Sequence, residues 1–149
     1  MTAVAKLFRL ERTDQRLILR ALVLLCGIRL SLAILPFSFL RRLLGGVATP
    51  PARRPSRSVD RVAWAVMAAS PYVPGARCLA QALAAQRLLA NGGQPTRLCI
   101  GVARPQNGQL EAHAWLEQNG QPIFGTSDSE RFARLQGTHR SWAAGAEVL

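Results

Sequence analysis

The stretch "ARCLAQALAAQRLLANGG", residues 76–93, decides how the chain is read. Its apolar residues recur at helical spacing, with Leu79 and Leu83 on one stripe and Ala82 and Gln86 on a neighbouring one. Asn91-Gly92-Gly93 supplies the C-terminal stop. Pro74 and Gly75 stand just before the segment, so the helix starts behind a sharp turn and Cys78 opens it. Thiol nucleophiles react as thiolates, and a helix N-terminus offers such an anion unpaired backbone N–H groups and the positive end of the dipole. The same N–H groups can hold a developing oxyanion. On position alone, a small buried residue filling the start of a helix also accounts for Cys78, since free cysteine is among the most buried residue types.

Beyond Pro95 the pattern changes from helical to alternating. "TRLCIGVAR" reads as a strand, "PQNG" as a turn, "QLEAHAWLE" as a second strand, "QNGQ" as a two-residue hairpin and "PIFG" as a short third strand. Helices followed by an antiparallel meander predict an α+β fold. Alternation puts His113, Trp115 and Glu117 on one strand face and Ala112, Ala114 and Leu116 on the other. The Ala/Leu face suits the core, so His113 projects to the opposite layer, where Trp115 would wall a cleft. A cysteine at a helix end with a histidine on a nearby strand is the arrangement that activates a thiol in cysteine hydrolases. The plainer reading of His113 is a strand histidine satisfied by a local carbonyl.

Upstream, "LILRALVLLCGIRLSLAILPFSFLRRLL" (residues 17–44) is apolar enough to suggest a membrane span, but Arg20 and Arg29 interrupt it. No signal-peptide pattern precedes it. Thr13 or Asp14 is expected to cap a helix beginning at Gln15, and Pro36 to end or bend it. A second short helix from Pro36 would close at Gly45-Gly46. These helices are read as packed mainly against the rest of the protein, with peripheral membrane contact as the lesser alternative. "GVATPPARRPSR", residues 46–57, reads as an exposed linker. Ser58 is a plausible cap for "VDRVAWAVMAAS", in which Val59, Val62, Val66 and Met67 share helical spacing up to Pro71. The division expected is a basic helical region with linker over residues 1–57 and a catalytic core over residues 58–149.

Charge is concentrated at the start. Residues 1–62 hold twelve Lys/Arg against Glu11, Asp14 and Asp60, a net of +9, whereas the remainder has seven arginines against five acids, a net of +2. Such asymmetry suits an anionic partner for the first part, or an arginine-favouring composition on an ordinary solvated face. The three cysteines show no Cys-x-x-Cys pair, and His113 and His139 lack zinc-finger spacing. A disulfide scaffold and a structural metal site are therefore not expected, nor is a cofactor, and this thiol usage suits the cytoplasm. Cys26 within its apolar helix and Cys99 beside Leu98 and Ile100 read as packing, and His139 sits in a polar tail. Long apolar runs between the basic residues, with no recognised motif, argue against nucleic-acid binding.

Taken together, "RVAWAV", "VPGARCLAQALAAQRLLANGGQPTRLCIGVAR" and "GQLEAHAWLEQNGQPIFG" resemble the transglutaminase-like cysteine peptidase of lasso-peptide biosynthesis, the microcin-processing B-protein C-terminal domain family. The resemblance runs from about residue 14 to 135 and includes the basic, apolar N-terminal helices. It implies a transglutaminase-like (papain-like) core. It also implies an activity: removing the leader from a ribosomally made precursor peptide, so that an asparagine-synthetase-like cyclase can join the freed amine to an acidic side chain. By matching positions, Cys78 would be the nucleophile, His113 the general base and the Cys78 N–H an oxyanion donor. The implied partners are the precursor's leader, a separate leader-binding carrier protein and the cyclase. With little chain before residue 14, a stand-alone peptidase is expected.

One departure stands out. Members with a full triad carry an acid about a dozen residues after the histidine, and this chain reads "PIFGTSDSE" there, with Gly125 near the expected place. An Asn119-Gly120 turn sets Gln118 opposite Gln121 and His113 roughly opposite Thr126. Asp128 is the candidate third member, and a dyad oriented by a backbone carbonyl or by Thr126 is the alternative. A different class of function, an inactive scaffold presenting the precursor to the cyclase, predicts that Cys78→Ala leaves product formation intact.

Overall fold

A computed structural model describes residues 11–39, 42, 57–103, 108–125 and 132–134. The first helix, α1, runs Arg12–Ile34 and buries Asp14, Leu17, Ile18, Ala21, Leu25 and Ile28 along one side. It begins three residues earlier than its capping residues suggested. Glu11 is the cap, and Asp14 lies in the first turn as a buried acid instead of a cap. Asp14 accepts a bidentate pair from Arg61: Nε donates to Oδ1 at 3.0 Å and a guanidinium nitrogen donates to Oδ2. This ties α1 to the next helix across 47 residues of chain. Arg61 also lies over the Trp64 ring, 4.9 Å from its centroid. Leu35 turns extended just before Pro36, which disfavours the helical conformation in the residue preceding it. Residues 37–39 are helical again; the expected stop at Gly45-Gly46 and most of the linker lie outside the described residues.

The opposite side of α1 departs from the expectation of burial. Leu19, Val23, Leu30 and Ile34 are each 60–71% exposed, and Cys26, expected in the core, faces outward among them. Residues 19, 23, 26, 30 and 34 share one face by helical spacing, and that face is turned away from the core the other side enters.

The second helix, α2, spans Val59–Ala69, and its Ser58 cap accepts from the Arg61 N–H at 3.3 Å. Val62, Ala65, Val66 and Ala69 face the core, whereas Met67, expected on the apolar stripe, points to solvent. Pro71 lies in a single 3-10 turn, Ser70–Tyr72, that ends the helix. The third helix, α3, spans Cys78–Asn91 and is alanine-rich where it packs, burying Ala80, Ala82, Ala84 and Ala85 beside Leu83, Leu88 and Leu89. Small residues let its backbone approach α1, α2 and the sheet closely. Gly93, at φ +75°, closes it: Gly93 N–H bonds to Ala90 O and Gln94 N–H to Leu89 O, both at 2.9 Å. This is the paired arrangement of a glycine C-cap.

Four antiparallel strands follow: β1 (Arg97–Ala103), β2 (Glu111–Gln118), β3 (Gln121–Phe124) and β4 (Ala133–Arg134), in the spatial order β3-β2-β1-β4. Asn119 and Gly120 both take positive φ, 53° and 78°, as the hairpin turn predicted. Gln118 does oppose Gln121, but the register then slips so that Leu116 faces Phe124 and not Ile123. Pro122 offers no N–H to the ladder, and the slip puts Phe124 beside Leu116 in the core. The uniform register ends at this slip, and Thr126, expected opposite His113, lies outside the described residues. Strand β4, two residues in an otherwise polar tail, carries no alternation to announce it. Leu98, Ala114, Leu116 and Phe124 join the residues buried from all three helices in one core.

Candidate active site

Cys78 is the first residue of α3, half-buried, behind a turn that the sequence builds from Pro74 and Gly75. Gly75 has φ +76°, a conformation that favours glycine, and the Arg29 guanidinium lies across it, 2.6 Å from where a Cβ would stand. The first helical hydrogen bond runs from Gln81 N–H to Arg77 O at 3.1 Å, and Arg77 provides no side-chain cap. The N–H groups of Cys78, Leu79 and Ala80 thus precede the ladder and face the start of the helix. Gln81 reaches back to the Ala76 carbonyl at 2.9 Å and pins the approach. The Cys78 thiol meets strand β2 at Ala112, whose carbonyl oxygen is 4.0 Å from Sγ.

The next residue on that strand is His113. Its Nε2 is 2.7 Å from the Gly125 carbonyl. A carbonyl only accepts, so Nε2 carries a proton, and whenever the ring is neutral Nδ1 is the nitrogen that holds the lone pair. Gly125 has φ +72°, and a Cβ on it would stand 3.0 Å from Ala114 O. The chain can pass that close to β2, and aim its carbonyl at the imidazole, because the residue there is glycine. Among the described residues no hydrogen bond joins Cys78 to His113 directly; they are brought to neighbouring positions through Ala112. Catalytic hydrogen bonds are often long or absent before substrate binds.

Two aromatic rings stack near the imidazole. Trp115 lies 6.2 Å away, centroid to centroid, at 18° between planes, and Phe132 lies 5.1 Å away at 28°. Gly101 is the cross-strand partner of His113, and a Cβ on it would stand 2.8 Å from Phe132 Cβ and 2.9 Å from Trp115 Cη2 and Cζ3. Trp115 is anchored in turn by its Nε1–H, which donates to Glu117 Oε1 at 3.0 Å in a buried pair. Cys99, opposite Trp115, is buried on this face as packing. Gly101 and Phe132 were missed from sequence. A glycine inside a strand was the available signal for close approach, whereas nothing marked Phe132.

Asp128, Thr126 and His139 lie outside the described residues. Among the described residues there is no group of three or more His, Cys, Asp or Glu side chains able to hold a metal ion.

A thiol at a helix start, next to the strand residue that precedes a histidine bonded to a backbone carbonyl, on an α+β scaffold, defines a candidate cysteine-hydrolase site. The model of the transglutaminase-like superfamily matches residues 22–137, and the chain belongs to that superfamily, which includes cysteine peptidases. Among curated proteins and among solved structures, nothing matches the chain.

Proposed function

We propose that this protein is a cysteine peptidase that removes the leader from a lasso-peptide precursor, with Cys78 as nucleophile and His113 as general base. The observation that carries the peptidase reading is the His113 Nε2–Gly125 O bond beside a cysteine at a helix N-terminus, since it leaves Nδ1 as the nitrogen able to take the thiol proton. The choice of substrate is supported by the resemblance of "CLAQALAAQRLL" and "AHAWLE" to leader peptidases of this pathway.

The cycle follows from those groups. His113 Nδ1 takes the Cys78 proton, and the thiolate attacks the carbonyl of the leader–core bond. The backbone N–H of Cys78 and its helix start stabilise the oxyanion that forms. The imidazolium then protonates the departing core amine as the C–N bond breaks, leaving the leader as a thioester on Cys78. Water, deprotonated by the same imidazole, releases the leader carboxylate and restores the thiol. The Gly125 carbonyl does part of what an acid does in a triad: it fixes the tautomer and the ring plane, and it supplies only a partial negative charge to the imidazolium. Asp128 remains the candidate acid of a full triad, and the two assignments separate experimentally. The leader and its carrier protein are the expected partners, with the cyclase receiving the freed amine.

The test is a mass-spectrometric cleavage assay with precursor and leader-binding protein present. Leader and core fragments with the wild type, and neither with Cys78→Ala or His113→Ala, support the assignment. Product formation retained in Cys78→Ala favours the scaffold reading or a different nucleophile.

A further inference from the structure

We propose that the outward face of α1 docks this protein onto an anionic lipid bilayer, with the helix lying flat in the interface. The face is built by Leu19, Val23, Cys26, Leu30 and Ile34, one helical line about 22 Å long at 1.5 Å per residue. It contains no strongly hydrogen-bonding side chain. Soluble helices put charged residues on the side away from the core, and α1 puts its second apolar stripe there. Only 28% of its most apolar 18-residue window is buried. Phe39, beyond the break at Pro36, is half exposed as well.

Charge identifies what covers this face. From Gln15 to Val59, 45 residues, the chain has eight arginines and no acid. The exposed Arg12 and Arg16 extend the line of the stripe toward the helix N-terminus, and Arg20 flanks it. From Gln15 onward every charge beside these apolar residues on α1 is an arginine, which matches the boundary between acyl chains and anionic headgroups, where a guanidinium can reach phosphate while its stem rests on hydrocarbon. A protein partner would more commonly meet a polar rim carrying hydrogen-bonding groups and both signs of charge. A span is disfavoured by the rest of the helix. Crossing the bilayer would strip Leu17, Ala21, Leu25 and Ile28 out of the core and break the Asp14–Arg61 pair.

Vesicle flotation tests this without reference to peptidase activity. Vesicles of phosphatidylcholine with about one-third phosphatidylglycerol should carry the wild-type protein, and pure phosphatidylcholine vesicles far less. Raising salt should weaken binding, and Arg16→Glu/Arg20→Glu should weaken it by roughly tenfold or more. Leu19→Glu/Val23→Glu/Leu30→Glu should abolish it while the circular dichroism spectrum is kept, since all three side chains are exposed. A second readout is independent of that variant's folding. Cys26, labelled with an environment-sensitive fluorophore in a Cys78→Ala background, should shift to the blue on anionic vesicles. Absence of flotation, an unchanged Cys26 label, or equal binding by the stripe variant overturns the proposal. So does a stripe that governs only self-association or binding to an acidic protein, which would make the face a protein interface.

Discussion

At the scale of single residues, two glycines, Gly125 and Gly101, hold His113 in place because a Cβ at either would crowd its surroundings. Gly125 lets a carbonyl stand 2.7 Å from His113 Nε2. Gly125→Ala puts a side chain at φ +72° and 3.0 Å from Ala114 O, so the loop must retreat from β2. The expected outcome is a loss of about 1–2 kcal/mol in stability from the strained conformation. The cleavage rate should fall about tenfold to a hundredfold as the imidazole loses its fixed tautomer, with substrate KM changing less. Steady-state kinetics beside denaturant unfolding separates the two effects. If Gly125 and not Asp128 orients His113, Asp128→Ala should retain the rate within about twofold, against a loss of several orders of magnitude for a true triad acid. Gly101→Ala should cost about 1–3 kcal/mol by overpacking against Phe132 and Trp115, and should disturb the rings that stack near His113. The positions of Cys78 at a helix start and of His113 on a strand were legible in sequence because each sat in a patterned context. The partner of His113 was legible only as an alternative, since a backbone carbonyl leaves no residue type behind it.

At the scale of elements, the helices and the first three strands followed from period and punctuation. Ser58, the Asn119-Gly120 turn and the closing glycines of α3 all act where their chemistry predicted. What pattern did not reveal was which side of an element would find a partner. On α1 both stripes are apolar, so composition could not choose between them, and Cys26 was placed on the wrong one. The β3 slip likewise comes from how Phe124 and Leu116 fit together, a tertiary preference that local propensity does not contain. Asp14 illustrates the same point, since an acid in a first turn suits a cap, yet here it meets an arginine from another helix. Replacing it should be felt at both helices. Asp14→Ala is expected to lower stability by about 1 kcal/mol, kept small because the Arg61 side chain is 49% exposed and can return to water. A double-mutant cycle with Arg61→Ala, followed by thermal unfolding, would give the coupling directly. A coupling near zero would mean that α1 and α2 are held by apolar contact alone.

At the scale of the molecule, α1 does more than precede the candidate site. Leu17, Ile18, Leu25 and Ile28 are nearly fully buried in the core that also takes side chains from α2, α3 and the sheet. Burying four such side chains contributes roughly 6–12 kcal/mol, an upper estimate, which is comparable to the whole net stability of about 5–15 kcal/mol for a small domain. Arg29, moreover, lies across Gly75 in the turn that presents Cys78, so the same helix braces the approach to the thiol. A chain reduced to residues 58–149 should therefore lose both its cooperative transition and its site. The expected observations are a broad or absent melt, exposed apolar surface detected by dye binding, and no cleavage. The full chain should unfold in a single transition that coincides by circular dichroism, which follows the helices, and by tryptophan fluorescence, which includes Trp115 buried on β2. Two separated transitions, or a sharp melt from residues 58–149 alone, would instead make α1 an appended element whose burial adds little to the catalytic unit. Adding α1 back as a separate peptide distinguishes a missing part of the core from a general failure of the shortened chain. Recovery of the melt and of cleavage, at peptide concentrations that saturate, is the outcome that buried surface of this size predicts.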